Sequence, residues 1–136
     1  MMAWMLLLAL AQATGGTVVT VARGAYSGIH DSKEAVIRAA PEWRALWKSH
    51  AGPEAAPVVD FSTDIVAAVF LGTRSTGGFS VEIIGARRES DVLIVEYIER
   101  RPGPDDIVTQ VLTSPFHIVK VPRHAGPVRF REVSGR

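Results

Sequence analysis

The chain has 136 residues, 47 % of them apolar, with 15 Lys and Arg against 14 Asp and Glu for a formal net charge of +1. A balance this even argues against a phosphate backbone as the main partner, because nucleic-acid recognition rests on a concentrated basic face. The absence of cysteine excludes a disulfide, a thiolate nucleophile, a cysteine zinc site and a lipid-modified cysteine within this sequence.

Trp4 to Leu10 is an unbroken apolar run followed by Ala11-Gln12-Ala13, a small-x-small site. The pattern predicts a cleaved signal peptide over residues 1–13, with residues 14–136 forming one exported domain, soluble in the periplasm or outside the cell. The run falls short of the ~20 residues a membrane span needs, so no stable membrane insertion is expected after cleavage.

Thr17 to Ala22 is β-branched and predicts a strand, ending at the turn-rich Arg23 to Gly28. Pro41 would break a helix drawn through Asp31 to His50, so Glu34 to Arg38 reads as a short strand. Pro41 then becomes the first residue of a helix reaching about Ser49. Trp43, Leu46 and Trp47 fall at i, i+3 and i+4 on that helix, a core-facing stripe rather than a ligand platform. Ala51 to Pro57 is a loop leading into an extended Val58 to Phe61. Ile65 to Leu71 carries no polar side chain, which predicts a central strand covered on both faces, with the tryptophan helix on one of them. It runs into the corner Gly72 to Gly78 and returns as the alternating Phe79 to Arg87, the pattern of a hairpin with a shaped loop. Val92 to Glu99 continues the alternation after a polar turn at Arg88 to Asp91. Arg100 to Asp106 is a second long connection. Ile107 to Thr113 predicts a further strand, interrupted at Ser114-Pro115 and resumed over Phe116 to Val121. Val128 to Val133 closes the chain. The fold class is α+β: a mainly antiparallel, meander-like sheet of about six or seven strands with one α-helix packed on it.

Catalytic patterns are missing. No G-x-S-x-G elbow occurs, and Ser80 sits inside a predicted strand. His30, His50, His117 and His124 lack metal-ligand spacing, and Asp105-Asp106 does not continue as a calcium loop. Glu82 and Glu96 fall on neighbouring predicted strands, where a glycosidase-like pair and ordinary cross-strand charges are both open readings. No P-loop is present. The arginines at Arg87-Arg88, Arg100-Arg101 and Arg123 to Arg136 stand among acids and read as solvated turns. No cofactor and no metal is expected.

Two loops remain. Gly77 and Gly78 permit positive φ or close approach of another backbone, while Arg74, Ser75 and Thr76 offer donors with no evident local partner. The candidate partner-binding residues are Arg74, Ser75, Thr76, Gly77, Gly78 and Phe79, with Ser114, Pro115 and Phe116 beside them. A structural alternative is that Gly77-Gly78 forms a bulge bending the hairpin, with Thr76 bonding its own backbone.

Asp60-Phe61, Val69-Phe70-Leu71-Gly72 followed by Thr76-Gly77-Gly78-Phe79-Ser80-Val81, and Thr113-Ser114-Pro115-Phe116-His117-Ile118-Val119 together resemble the C-terminal domain family of the protease complex subunit PrcB. The tryptophan helix, Glu42-Trp43 through Leu46-Trp47, looks like the segment preceding these motifs there, so the resemblance runs from about Val36 to Arg123. It implies an exported bacterial accessory domain, not an enzyme, that binds another protein and stabilises or assists a secreted protease. The family has no catalytic residues to carry over. A second reading is an inhibitor of an extracellular protease, with Leu112 to Phe116 lying in its cleft; a third is a small hydrolase.

Overall fold

A computed structural model describes residues 15–134, so the expected signal peptide at residues 1–13 lies outside the described residues. The strands are β1 (Gly15–Gly16), β2 (Val19–Gly24), β3 (Lys33–Ile37), β4 (Asp64–Phe70), β5 (Ser80–Glu89), β6 (Val92–Arg100), β7 (Phe116–Pro122) and β8 (Val128–Glu132). Among the described residues the one helix, α1 (Ala40–Ala51), lies between β3 and β4. The fold is α+β and mainly antiparallel, as the sequence predicts, with β6 and β8 forming the parallel pair.

The strands divide into two four-stranded sheets, ordered β1-β5-β6-β8 and β2-β7-β4-β3. The cause lies in β4. Alternate residues Ile65, Ala67 and Val69 pack with Val81 and Ile83 of β5 and with Leu93 and Val95 of β6. Val66, Ala68 and Phe70 face the other way, against Trp43, Leu46 and Trp47 of α1. An apolar strand cannot leave either face to water, so β4 sits mid-sheet with the helix on one side and the second sheet on the other. The layers therefore run helix, sheet, sheet.

The predicted hairpin of β4 with β5 does not form. β4 pairs with β3 and β7, and the connection after Leu71 carries the chain into the opposite sheet. Pairing in one sheet would have taken β5 off the face of β4 that it covers. Of the expected meander, β5 and β6 do form a hairpin, with a register shift between Ile83 and Gly85 that leaves Ile84 half-exposed and explains its break in the alternation.

Helix α1 begins after an extended Ala39 with Pro41 in its first turn and ends at Gly52, whose φ is 73°. Its stripe is core: Trp43, Leu46 and Trp47 are all buried. The predicted strand over Ile107 to Thr113 is absent, and only Thr113 makes a β-bridge, to Arg74. This segment has the β-branched composition of a strand but no neighbouring strand to bond, with Ile107 fully exposed.

Candidate functional site

Register brings three connections to one end of the fold. Phe70 closes β4 opposite Phe116 at the start of β7, which lies opposite Gly24 at the end of β2, while Ser80 opens β5 opposite Arg100 at the end of β6. The loops over residues 25–32, 71–79 and 101–115 must then converge.

They are bonded to one another. Arg74 and Thr113 exchange both backbone hydrogen bonds, at 2.8 and 2.9 Å. The Thr113 hydroxyl donates to the Thr76 carbonyl at 2.9 Å, and the Gly77 N–H donates to the Thr109 carbonyl at 3.0 Å. Ser114 donates from its N–H to Ala25 at 2.7 Å and accepts from Ser27 at 3.0 Å, and Thr73 donates from its N–H to His30 at 3.0 Å.

The glycine pair makes this docking possible. A Cβ on Gly78, whose φ is 91°, would come within 2.8 Å of Val108 Cγ1 and 2.9 Å of Pro102 Cβ, and one on Gly77 would run into the Thr109 hydroxyl. Gly77-Gly78 thus lies ahead of β5 rather than as a bulge within it, and is the seat on which Pro102, Val108 and Thr109 lie. Thr76 does bond its own backbone, its hydroxyl donating to the Gly77 carbonyl at 2.9 Å.

Arg74 has local partners. Its Nε and Nη2 donate to Glu99 Oε2 at 3.1 and 3.0 Å, Nη1 donates to the Leu71 carbonyl at 2.9 Å, and the guanidinium lies 5.8 Å from the Phe79 ring centroid. The Glu99 side chain is only 6 % exposed, so this is a largely desolvated, fork-to-carboxylate pair. Ser75 stays exposed and Phe79 is half-buried.

Ser114, Pro115 and Phe116 do not reach the surface. All three are buried, and Phe116 stacks against Phe70 and meets His50 edge-on at 4.3 Å between centroids. Pro115 directly precedes β7, and its carbonyl accepts from the Leu71 N–H at 2.9 Å and locks the segment inward. As partner contacts these three are corrected to core.

The large apolar side chains exposed at this end lie outside the candidate set: Tyr26 at 68 %, Ile107 at 100 %, Val111 at 46 % and Leu112 at 69 % exposure. A β-branched run next to a Pro-Gly-Pro-Asp-Asp turn was the available signal. Gly103 and Asp106 close that turn reciprocally, Asp106 N–H to the Gly103 carbonyl at 3.1 Å and Gly103 N–H to Asp106 Oδ2 at 2.6 Å.

Elsewhere the titratable groups are engaged structurally. His117 is buried and bonded at both ring nitrogens, to Thr20 Oγ1 and the Ile83 N–H, each at 2.8 Å. Burial first, and then the Arg23 cation, lower its pKa to about 4, against a smaller opposing pull from Glu82. His50 accepts from or donates to Ser27 Oγ at 2.8 Å, and burial lowers its pKa as well, with Glu54 opposing. Glu82 bonds Arg100 at 2.9 Å, whereas Glu96 bonds Arg87 and Arg131 at 3.1 and 3.4 Å, so the two carboxylates belong to separate ion-pair groups. Among the described residues no group of three or more His, Asp or Glu is placed to hold a metal ion.

Residues 65–122 match the model of the family described as PrcB C-terminal. Over that segment, less than half of the 136-residue chain, the protein is similar to the PrcB C-terminal family. Comparison with curated proteins and with solved structures found no match. The PrcB C-terminal match runs from β4 into β7 and so takes in the whole of the 71–79 and 101–115 connections, two of the three that build this end of the fold. Among the described residues no helix is long and apolar enough to cross a membrane.

Proposed function

We propose that this protein is an exported, non-enzymatic accessory domain that associates with a secreted protease and assists or stabilises it. The observation that carries the reading is the PrcB C-terminal match across a segment that includes two of the three connections forming the loop-built end of the fold. A protease-complex subunit needs a surface whose shape persists without its partner. Here the Arg74–Thr113 backbone pair, the glycine seat and the desolvated Arg74–Glu99 contact hold the loops in one arrangement. Preorganisation of this kind lowers the ordering cost of binding. Export is supported by the Trp4 to Leu10 run and the Ala11-Gln12-Ala13 site.

The test is capture on the immobilised domain from the culture medium of the source cells, with eluted proteins identified and assayed for peptide hydrolysis. An enriched endopeptidase whose activity half-life lengthens when the domain is added supports the reading. Recovery of no endopeptidase overturns it.

A further inference from the structure

Residues 107–112 form a strap with unusual properties. It belongs to no strand and bends at Val111, and among the described residues the N–H groups of Ile107, Val108, Gln110, Val111 and Leu112 have no backbone partner. Three of its apolar side chains, Ile107, Val111 and Leu112, stand in water. It is nevertheless held: upstream the reciprocal Gly103–Asp106 turn is closed on itself and Pro102 sits against Gly78, downstream stands the double Arg74–Thr113 backbone bond, and Thr109 is tied to Gly77 between them. Beneath it, Val108 and Thr109 rest on the glycine pair.

We infer that this strap is the part of the domain that a protease holds, lying in the substrate cleft of an endopeptidase that accepts an apolar side chain, with Leu112 as the main anchor. The inference rests on the protease-associated reading above and specifies how that association is made. A substrate cleft meets each requirement the strap sets: it supplies backbone donors and acceptors to a segment whose own N–H groups lack backbone partners, and side pockets for its residues. The charge pattern adds a direction. Asp105 and Asp106 are exposed at the head of the strap, so the rim of the cleft that receives them carries a Lys or Arg. A strap held in this way resembles the rigid loops by which protein inhibitors occupy proteases with little backbone movement. Occupancy would at once block peptide substrates and shield the protease from self-digestion, which unites the accessory and inhibitor readings. The inhibitory segment becomes Ile107–Leu112 rather than Leu112 to Phe116, because Thr113 to Phe116 are buried.

The experiment measures hydrolysis of a short chromogenic peptide by subtilisin-, chymotrypsin- and thermolysin-type endopeptidases, and by any endopeptidase recovered in the capture above, with the full chain as added competitor. The expected result is a rise in apparent KM at constant kcat for at least one of them. That enzyme should lose binding to the domain when its active site is covalently blocked. Ile107→Asp/Leu112→Asp should weaken competition by about tenfold or more, as loss of an anchoring contact does, while Leu112→Met retains it and the thermal midpoint of each variant stays at the parent value. Equal binding to free and blocked enzyme, or undiminished competition by the double Asp variant, overturns the strap assignment while leaving protease association standing. Absence of competition with every enzyme tested also overturns it; failure of the association itself is read separately, from the capture.

Discussion

The backbone N–H of Ile83 donates to Nδ1 of His117 at 2.8 Å, a bond that crosses from one sheet to the other. Because Nδ1 accepts there, the neutral ring carries its proton on Nε2 and donates it to Thr20 Oγ1 at 2.8 Å, so one side chain of β7 ties β2 and β5 together.

Acid should undo this tie. With the folded pKa of His117 at about 4 against an ordinary 6.5, the unfolded chain binds more protons between those values, and stability rises with pH across that window. It is fully present above pH 6.5 and is lost as pH falls toward 4, a loss of about 3 kcal/mol if the whole shift is realised. His50, also lowered by burial, adds to the slope in the same direction. Urea unfolding midpoints measured from pH 4 to 8 should fall on the acid side, and His117→Gln should flatten that fall while lowering stability at pH 7. A slope unchanged in His117→Gln would contradict the assignment.

Gly78→Ala should cost about 1–3 kcal/mol, since its φ of 91° strains an L-residue and the new methyl meets Val108 and Pro102. Gly77→Ala should cost less, because the atom it meets is a threonine hydroxyl that can rotate away. Denaturant titration ranks the two, and limited proteolysis within residues 104–112 should quicken in Gly78→Ala.

Arg74→Ala leaves the Glu99 carboxylate, 6 % exposed, with Arg101 at 3.4 Å as its remaining ion-pair partner. A destabilisation of about 3 kcal/mol is expected, the low end for breaking a buried pair, and Arg74→Ala combined with Glu99→Gln should recover part of it. A double-mutant cycle in urea measures the coupling. Any binding defect of Arg74→Ala must therefore be separated from its folding defect.

The two buried tryptophans should respond differently to phenylalanine. Trp43 donates from Nε1 to the Pro57 carbonyl at 2.8 Å, whereas Trp47 Nε1 is buried with no hydrogen-bond partner among the described residues. Trp43→Phe should cost about 1 kcal/mol more than Trp47→Phe, the net worth of one hydrogen bond. Thermal or urea unfolding of the two variants decides it.

Local chemistry was written into the sequence wherever a residue's consequence lies within a few neighbours. Pro41 fixed the helix start, the Trp43, Leu46, Trp47 spacing fixed its buried face, and the all-apolar Ile65 to Leu71 required cover on both sides. The Thr-Gly-Gly and Ser-Pro motifs were legible as a matched pair, and the family match bears that out. Tertiary structure alone decided what each surface residue does. Arg74 looked free because its partner, Glu99, is 25 residues away in the chain; Ser114 to Phe116 looked presentable because nothing nearby in sequence announces that Leu71, Ala25 and Ser27 bond them inward. Ile107 to Leu112 has the composition of a strand, and a strand exists only where a neighbour offers its backbone. That neighbour is set by global topology, which here sent β5 to the opposite sheet and left this segment exposed at the edge of the fold.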